Sequence, residues 1–143
     1  MRSVYPGLEV TLRGRLDPSV GEVALVPQDF GRAILNILAN SLYAVEEKRR
    51  SAGAGFSPEV TLSSQSVDAR VEIRIRDNGT GIARELQDRI FTPFFTTKPT
   101  GAGTGLGLSI AYDIVVRQHR GEIRFESEEG HFTECLIVLP RGR

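Results

Sequence analysis

The chain has little that would tie it to a charged partner, a membrane or an oxidising compartment. Its 18 lysines and arginines are matched by 18 aspartates and glutamates, so no net charge draws it to nucleic acid or to an anionic membrane surface. A single cysteine, Cys135, excludes an internal disulfide and suits a reducing cytoplasm. Set in the apolar run Cys135-Leu136-Ile137-Val138-Leu139, it reads as a buried strand residue rather than a nucleophile or redox sensor. No stretch approaches the roughly 18 apolar residues of a membrane-spanning helix. Met1 to Gly7 lacks the apolar centre of a signal peptide. Repeats and internal linkers are missing too. With 143 residues, 40% of them hydrophobic, the chain fits one domain over residues 1–143 with a core of its own.

Periodicity supplies the elements. Leu8 to Arg13 alternates as a half-buried strand, and Val23 to Val26 reads as a short edge strand ended by Pro27. From Gln28 to Arg50 the spacing is helical: Phe30, Ile34, Ile37, Leu38, Ser41 and Val45 share one face, and Glu46 to Arg50 forms a solvated last turn. Ser51 to Pro58 is a loop. Strands follow at Glu59–Ser64 and Arg70–Asp77 around a turn at Ser66 to Ala69, and alternation puts Asp77 on the same side as Val71, Ile73 and Ile75. An acid at the inward end of a strand needs a partner. Ala83 to Ile90 is a short helix, Phe91 to Gly105 a loop, and Leu106 to Gln118 a second long helix. Glu122–Glu126 and Phe132–Leu139 close the chain as strands around the turn Ser127 to Gly130. Hairpin-joined strands with helices between them predict an α+β sandwich, one sheet covered on one face by helices.

Four patterns carry chemistry. Asn36 and Asn40 stand one turn apart beside the buried stripe of the first helix, a poor place for asparagine unless the pair shares a task. Their amide oxygens suit Mg²⁺, and from spacing alone a pair capping neighbouring backbone serves equally well. Asp77-Asn78-Gly79-Thr80-Gly81-Ile82 ends a strand in a tight turn, where a carboxylate can accept from the exocyclic amine of an adenine; Asp-Asn-Gly is also a common turn signal. Gly101, Gly103, Gly105 and Gly107 alternate into a helix start, an anion cradle to which Lys98 and Thr104 add a charge and a hydroxyl. The spacing is not the Walker pattern and the segment lies in no β-α-β unit. Phe91-Thr92-Pro93-Phe94-Phe95-Thr96-Thr97-Lys98 sets three aromatics in a loop, an anchor for a segment that opens and closes.

In this order the four patterns resemble the ATP-binding region shared by DNA gyrase, the Hsp90 chaperones, mismatch-repair ATPases and histidine kinases, and within it the bacterial sensor histidine kinases. Asn36-Ile37-Leu38-Ala39-Asn40 resembles the asparagine box, Asp77 to Ile82 the first glycine box, and Phe91 to Lys98 the phenylalanine box. Gly103-Thr104-Gly105-Leu106-Gly107-Leu108 resembles the second glycine box, and Gly121-Glu122-Ile123 through Gly130, Thr133 and Leu139-Pro140 the closing strands. The likeness runs from Val10 to Pro140. It implies a Bergerat-type two-layer sandwich whose mixed, mostly antiparallel sheet is covered on one face by helices. It further implies ATP and Mg²⁺ as cofactors, with Asn36 and Asn40 as the catalytic, metal-holding pair. Asp77 would accept from the adenine amine with Thr133 in support, while Gly79 and Gly81 leave room for the base and Ile82 belongs to the ATP-binding set. Thr96 to Leu108 would be a mobile lid, with Phe95, Thr96, Thr97, Lys98, Gly103, Thr104, Gly105, Leu106, Gly107 and Leu108 around the triphosphate. Phosphoryl transfer asks mainly for positioning and charge neutralisation, which this inventory supplies.

Departures from the family pattern are specific. Ser41 replaces an alanine, and Tyr43, in the nucleotide-facing set, stands where many relatives have lysine. Arg120 replaces the first glycine of His-Gly-Gly, Phe132 a glycine before Thr133, and Cys135 a strand phenylalanine. Neither His119 nor His131 sits as a phospho-accepting histidine does, on a long amphipathic helix beside an acid. The expectation is therefore a catalytic domain separated from the histidine-bearing dimerisation domain it serves, in the cytoplasm, with a response-regulator receiver downstream. Nucleic acid and direct membrane contact are not expected, though the parent protein is free to be membrane-anchored. Alternatives are a serine kinase or ATPase of the same superfamily, or a non-catalytic nucleotide sensor. Asn36 stands where gyrase-like members carry a glutamate that activates water, which argues against fast hydrolysis.

Overall fold

A computed structural model describes the backbone of residues 11–15 together with residues 27–90 and 107–140. The expected edge strand at Val23 to Val26 and the loop from Phe91 to Gly105 lie outside these residues. The elements run β1 (Thr11–Arg15), α1 (Pro27–Ala52), a 3₁₀ turn (Gly53–Gly55), β2 (Glu59–Val67), β3 (Arg70–Asp77) and a 3₁₀ helix (Arg84–Arg89). They continue with α2 (Gly107–Tyr112), a wider π-helical stretch (Asp113–Gln118), β4 (Glu122–Glu128) and β5 (Phe132–Pro140).

The strands form one sheet in the order β1-β2-β3-β5-β4. β1 pairs with β2 in parallel and every other pairing is antiparallel, so the sheet is mixed and mostly antiparallel. Residues facing each other across it form rows. Leu62, Ile75, Cys135 and Phe125 make one, Ser64, Ile73, Ile137 and Ile123 the next. These rows meet the buried face of α1 (Phe30, Ala33, Ile37, Val45) and of the second helix (Ala111, Ile114, Val115) to make the core. Burial pushes the Cys135 thiol up to about 12, which keeps it inert. The opposite face of the sheet is charged: Arg74 pairs with Glu72 at 2.9 Å, and Arg76 stacks on Phe132 at 4.0 Å. No helix among the described residues is long and apolar enough to cross a membrane.

Several boundaries move. β2 runs through Val67, so the turn into β3 narrows to Asp68 and Ala69, with Asp68 at φ 56°. α1 continues through Ala52, shortening the expected loop. The short helix after the glycine turn is 3₁₀ in form. Most instructive is Glu46, expected in a solvated turn but only 2% exposed. Arg49 and Arg50 fold back along the helix and donate to its carboxylate at 2.6, 3.0 and 3.2 Å. The Arg49 hydrogen bond chiefly lowers the Glu46 pKa, so the charge is held in place by its own helix.

At the end of the second helix the His119 N–H bonds the Ile114 carbonyl five residues back, and the ring packs edge-on against Phe30 at 5.5 Å. His119 is thus a packing residue here. Arg120 then takes φ 58°, a left-handed conformation that favours glycine. That conformation costs an L-residue roughly 1–2 kcal/mol, against about 0.5–1 kcal/mol for the extra chain freedom glycine brings to the unfolded state. Arg120→Gly is expected to stabilise the domain by about 0.5–1 kcal/mol, read as a higher urea midpoint at unchanged slope.

Candidate functional site

One row of the inner sheet face is polar. Val60, Asp77, Thr133 and Ser127 face one another across β2, β3, β5 and β4. The strand alternation that buries Val71 and Ile75 carries Asp77 inward, where it is 3% exposed, and Thr133 beside it is also buried. Asp77 Oδ1 accepts from the Gly79 N–H at 2.9 Å. The Ser41 hydroxyl of α1 also hydrogen-bonds the carboxylate. Burial nevertheless dominates and pushes the Asp77 carboxyl up to about 6, against the opposing pull of those two bonds and of the Arg76 and Lys48 charges.

The turn after Asp77 is clamped on three sides. Asn78 Oδ1 accepts from the Glu59 N–H at 2.8 Å and its Nδ2 donates to Ser57 O at 2.9 Å, locking the turn to the start of β2. Thr80 N–H donates to Ala44 O of α1 at 3.3 Å, and Gly130 N–H donates to Thr80 O at 2.6 Å. The two glycines answer to this crowding. A Cβ on Gly79 would lie 2.6 Å from the Ala44 carbonyl carbon. Gly81 has φ 70°, and a Cβ there would strike the Glu128 backbone. These contacts give the two glycines a packing reason instead of the expected one: the space a Cβ would take beside each is filled by this chain's own backbone, not left open for a base.

Asn36, Asn40 and Tyr43 follow one another along one side of α1, all half-buried. Asn36 Nδ2 donates to Gly107 O at 3.2 Å, which ties α1 to the first residue of α2 and leaves the amide oxygen as an acceptor. Leu108 packs against the core from the next position. Asn40 immediately precedes Ser41, the residue bonded to Asp77, so the asparagine helix and the carboxylate meet directly. Ile82 and Thr133 converge on Ser127: the Ile82 N–H donates to Ser127 Oγ at 2.8 Å, and Ser127 Oγ lies 2.9 Å from Thr133 Oγ1. The expected lid residues Phe95, Thr96, Thr97, Lys98, Gly103, Thr104, Gly105 and Leu106 lie outside the described residues.

Two contributors escaped the sequence reading. The helical spacing puts Ser41 on the shared face of α1, but nothing local announces that its hydroxyl meets a strand end. Ser127 was placed in a turn. The alternation Ile123, Phe125, Ser127 would have put it on the inner face had β4 been carried two residues further.

A buried carboxylate at a strand end, the asparagine-bearing helix beside it and a glycine turn between them thus meet at one end of the sheet. The chain belongs to the histidine kinase-, DNA gyrase B- and HSP90-like ATPase family, whose profile matches residues 26–143. Within that family it is similar to sensor histidine kinases. It is 33% identical over 132 residues to sensor histidine kinase ZraS of Escherichia coli strain K12, covering 92% of this chain and 26% of that protein. It is 36% identical over 126 residues to sensory histidine kinase/phosphatase NtrB of Salmonella typhimurium, covering 87% of this chain and 35% of that protein. The chain therefore spans about a quarter to a third of these relatives' length. Among solved structures, the catalytic domain of histidine kinase ThkA superposes with a TM-score of 0.76 at 26% identity, covering 94% of this chain and 82% of that one. The mycobacterial sensor histidine kinase MprB gives 0.75 at 27% identity, over 93% and 83%. The fold is that of a histidine kinase catalytic domain.

Proposed function

We propose that this domain binds Mg·ATP and supplies the γ-phosphoryl group to a histidine on a separate dimerisation domain, with a receiver domain downstream, on the cytoplasmic side where ATP is available. The observation that carries this reading is the buried Asp77 carboxylate, faced by Thr133 and bonded by Ser41 of the helix that bears Asn36 and Asn40. Asp77 accepts from the adenine amine and Thr133 supports it. The asparagines are hard, neutral oxygen donors, a fit for Mg²⁺ that keeps most of its waters and bridges to phosphate. Among the described residues no cluster of three or more carboxylate, histidine or cysteine side chains competes for a cation. When bound, Mg²⁺ neutralises phosphate charge. The chain's own part is to hold the base at Asp77, fix the amides of α1 and bring the start of α2 beside Asn36. Lys98 and the expected lid belong to this proposal as phosphate contacts.

The test is titration with a fluorescent ATP analogue with and without Mg²⁺, followed by addition of a helical acceptor domain and assay for acid-labile phosphohistidine. Mg-dependent binding and transfer are expected. Asn40→Ala should lower transfer by about 100-fold. Transfer that survives this substitution undiminished, or label found on serine instead, refutes the assignment.

A further inference from the structure

Two turns extend the strand ends that hold the polar row. The glycine turn continues β3 beyond Asp77, and residues 129–131 lead into β5 just before Thr133. The turns meet backbone to backbone: the Gly130 N–H donates to Thr80 O at 2.6 Å, and a Cβ on Gly81 would strike Glu128 O. Each is also bound to α1. The Thr80 N–H donates to Ala44 O at 3.3 Å, and one helical turn further on Lys48 Nζ donates to Gly130 O at 2.8 Å. These bonds close a circuit through Ala44, Thr80, Gly130 and Lys48. Gly130 makes the closure possible. Nothing lies within 4 Å of where its Cβ would be, so space does not require a glycine, but its φ of 85° does. In that conformation its N–H meets the glycine turn while its carbonyl meets the helix.

We infer that Lys48 is a positioning residue for the nucleotide: by fastening the β4–β5 turn to α1 it holds the strand ends that carry Asp77 and Thr133 in register with the helix that carries Ser41 and Asn40. Of the links in the circuit, only this one runs through a side chain, and a charged donor on a carbonyl makes a bond roughly twice as strong as a neutral one. The long side chain is kept on one course by Phe56, whose ring centre lies 5.1 Å from the ammonium and which packs in turn against the core. Without Lys48 the β4–β5 turn reaches α1 only by way of Thr80, whose bond to Ala44 is the longest in the circuit. Lys48 acts through Gly130 and the two turns, not by contact with the ligand.

The inference rests on the assignment of this site to ATP, and the experiment separates the two. Binding of a fluorescent ATP analogue, and its displacement by adenosine, are measured on the wild-type domain and on Lys48→Met, Lys48→Gln and Lys48→Arg. Work at pH 8 keeps Asp77, whose carboxyl is pushed up to about 6, ionised with or without the Lys48 charge nearby. Lys48→Met should weaken the ATP analogue and adenosine alike, each by about fivefold. Hydrogen exchange at the Thr80 and Gly130 amides should quicken by about tenfold, with the Ile75 and Ile137 amides in the middle of the sheet unchanged. Lys48→Gln, neutral and shorter, should do the same, and it serves if the methionine variant does not fold. Lys48→Arg keeps a charged donor that can lie on Phe56 and should restore the wild-type values. A loss confined to the ATP analogue makes Lys48 a phosphate contact and overturns the inference. Exchange that quickens across the whole sheet marks a merely structural role and overturns it too, as does an unmoved affinity. A wild-type domain that binds neither ligand instead overturns the ATP assignment itself.

Discussion

Asp77→Asn should abolish ATP binding, by about 100-fold or more, while making the unliganded domain more stable. The binding loss follows from one hydrogen bond. The Gly79 N–H requires an acceptor, so the asparagine oxygen stays where Asp77 Oδ1 now lies, and the new amide nitrogen takes the place of the other carboxylate oxygen. Its protons then oppose those of the adenine amine. The stability gain follows from burial. Folding displaces the Asp77 carboxyl from 3.8 to about 6, so the folded state holds a proton that the unfolded state releases. At about 1.4 kcal/mol per tenfold, ionised Asp77 costs the fold about 3 kcal/mol above pH 6. That cost shrinks as pH falls through 6 and is gone below about 4. The substitution should therefore stabilise by up to about 3 kcal/mol at neutral pH and by almost nothing near pH 4. Wild-type ATP affinity should fall over the same descent, as the acceptor is protonated. Denaturation at several pH values beside nucleotide titration reads both effects. A destabilised Asp77→Asn domain at neutral pH, or one that still binds ATP, contradicts the account.

Gly79→Ala should be a severely damaging single methyl in the domain's glycine turn. The added carbon would lie 2.6 Å from the Ala44 carbonyl carbon and 2.7 Å from its oxygen, and neither is a flexible side-chain end. Either α1 or the turn must shift, and the Thr80 to Ala44 hydrogen bond at 3.3 Å goes with it. A cost of about 3 kcal/mol or more is expected. Nucleotide affinity should fall as well, because the same helix positions Ser41 and Asn40. Gly31→Ala is the control: nothing lies within 4 Å of its Cβ. In that helix interior alanine should gain up to about 1 kcal/mol. Urea midpoints of the two variants should move in opposite directions; a Gly79→Ala domain as stable as wild type would show the turn and helix to be separable.

Much of this arrangement was legible in advance because it depends on short-range periodicity. Alternation along Val71, Ile73 and Ile75 carries Asp77 inward, and the three- and four-residue steps of α1 set the asparagines beside its buried stripe. What escaped depends on contacts between distant segments. Ser41 gains its meaning from a strand end 36 residues away, and Ser127 from Ile82 and Thr133. Glu46 escaped for another reason: charged residues near a helix end are usually solvated, and only the side-chain conformations of Arg49 and Arg50 reveal that this one is covered. The π-helical stretch leaves no mark on apolar spacing, since its hydrogen-bond pattern shifts by a single residue.

The insertion of β5 between β3 and β4 bears on how the domain comes into being. Asp77 is made early, yet its neighbour Thr133 arrives on the last strand of the described chain and slots into the middle of the sheet. During synthesis on the ribosome, the polar row that pairs Asp77 with Thr133 stays incomplete until β5 has emerged and docked. Such long-range closure is the slow part of building a β-sheet. A nascent chain cut short before β5 would carry the asparagine helix and the acid without the threonine, so under the proposed function nucleotide capture waits for that strand to dock.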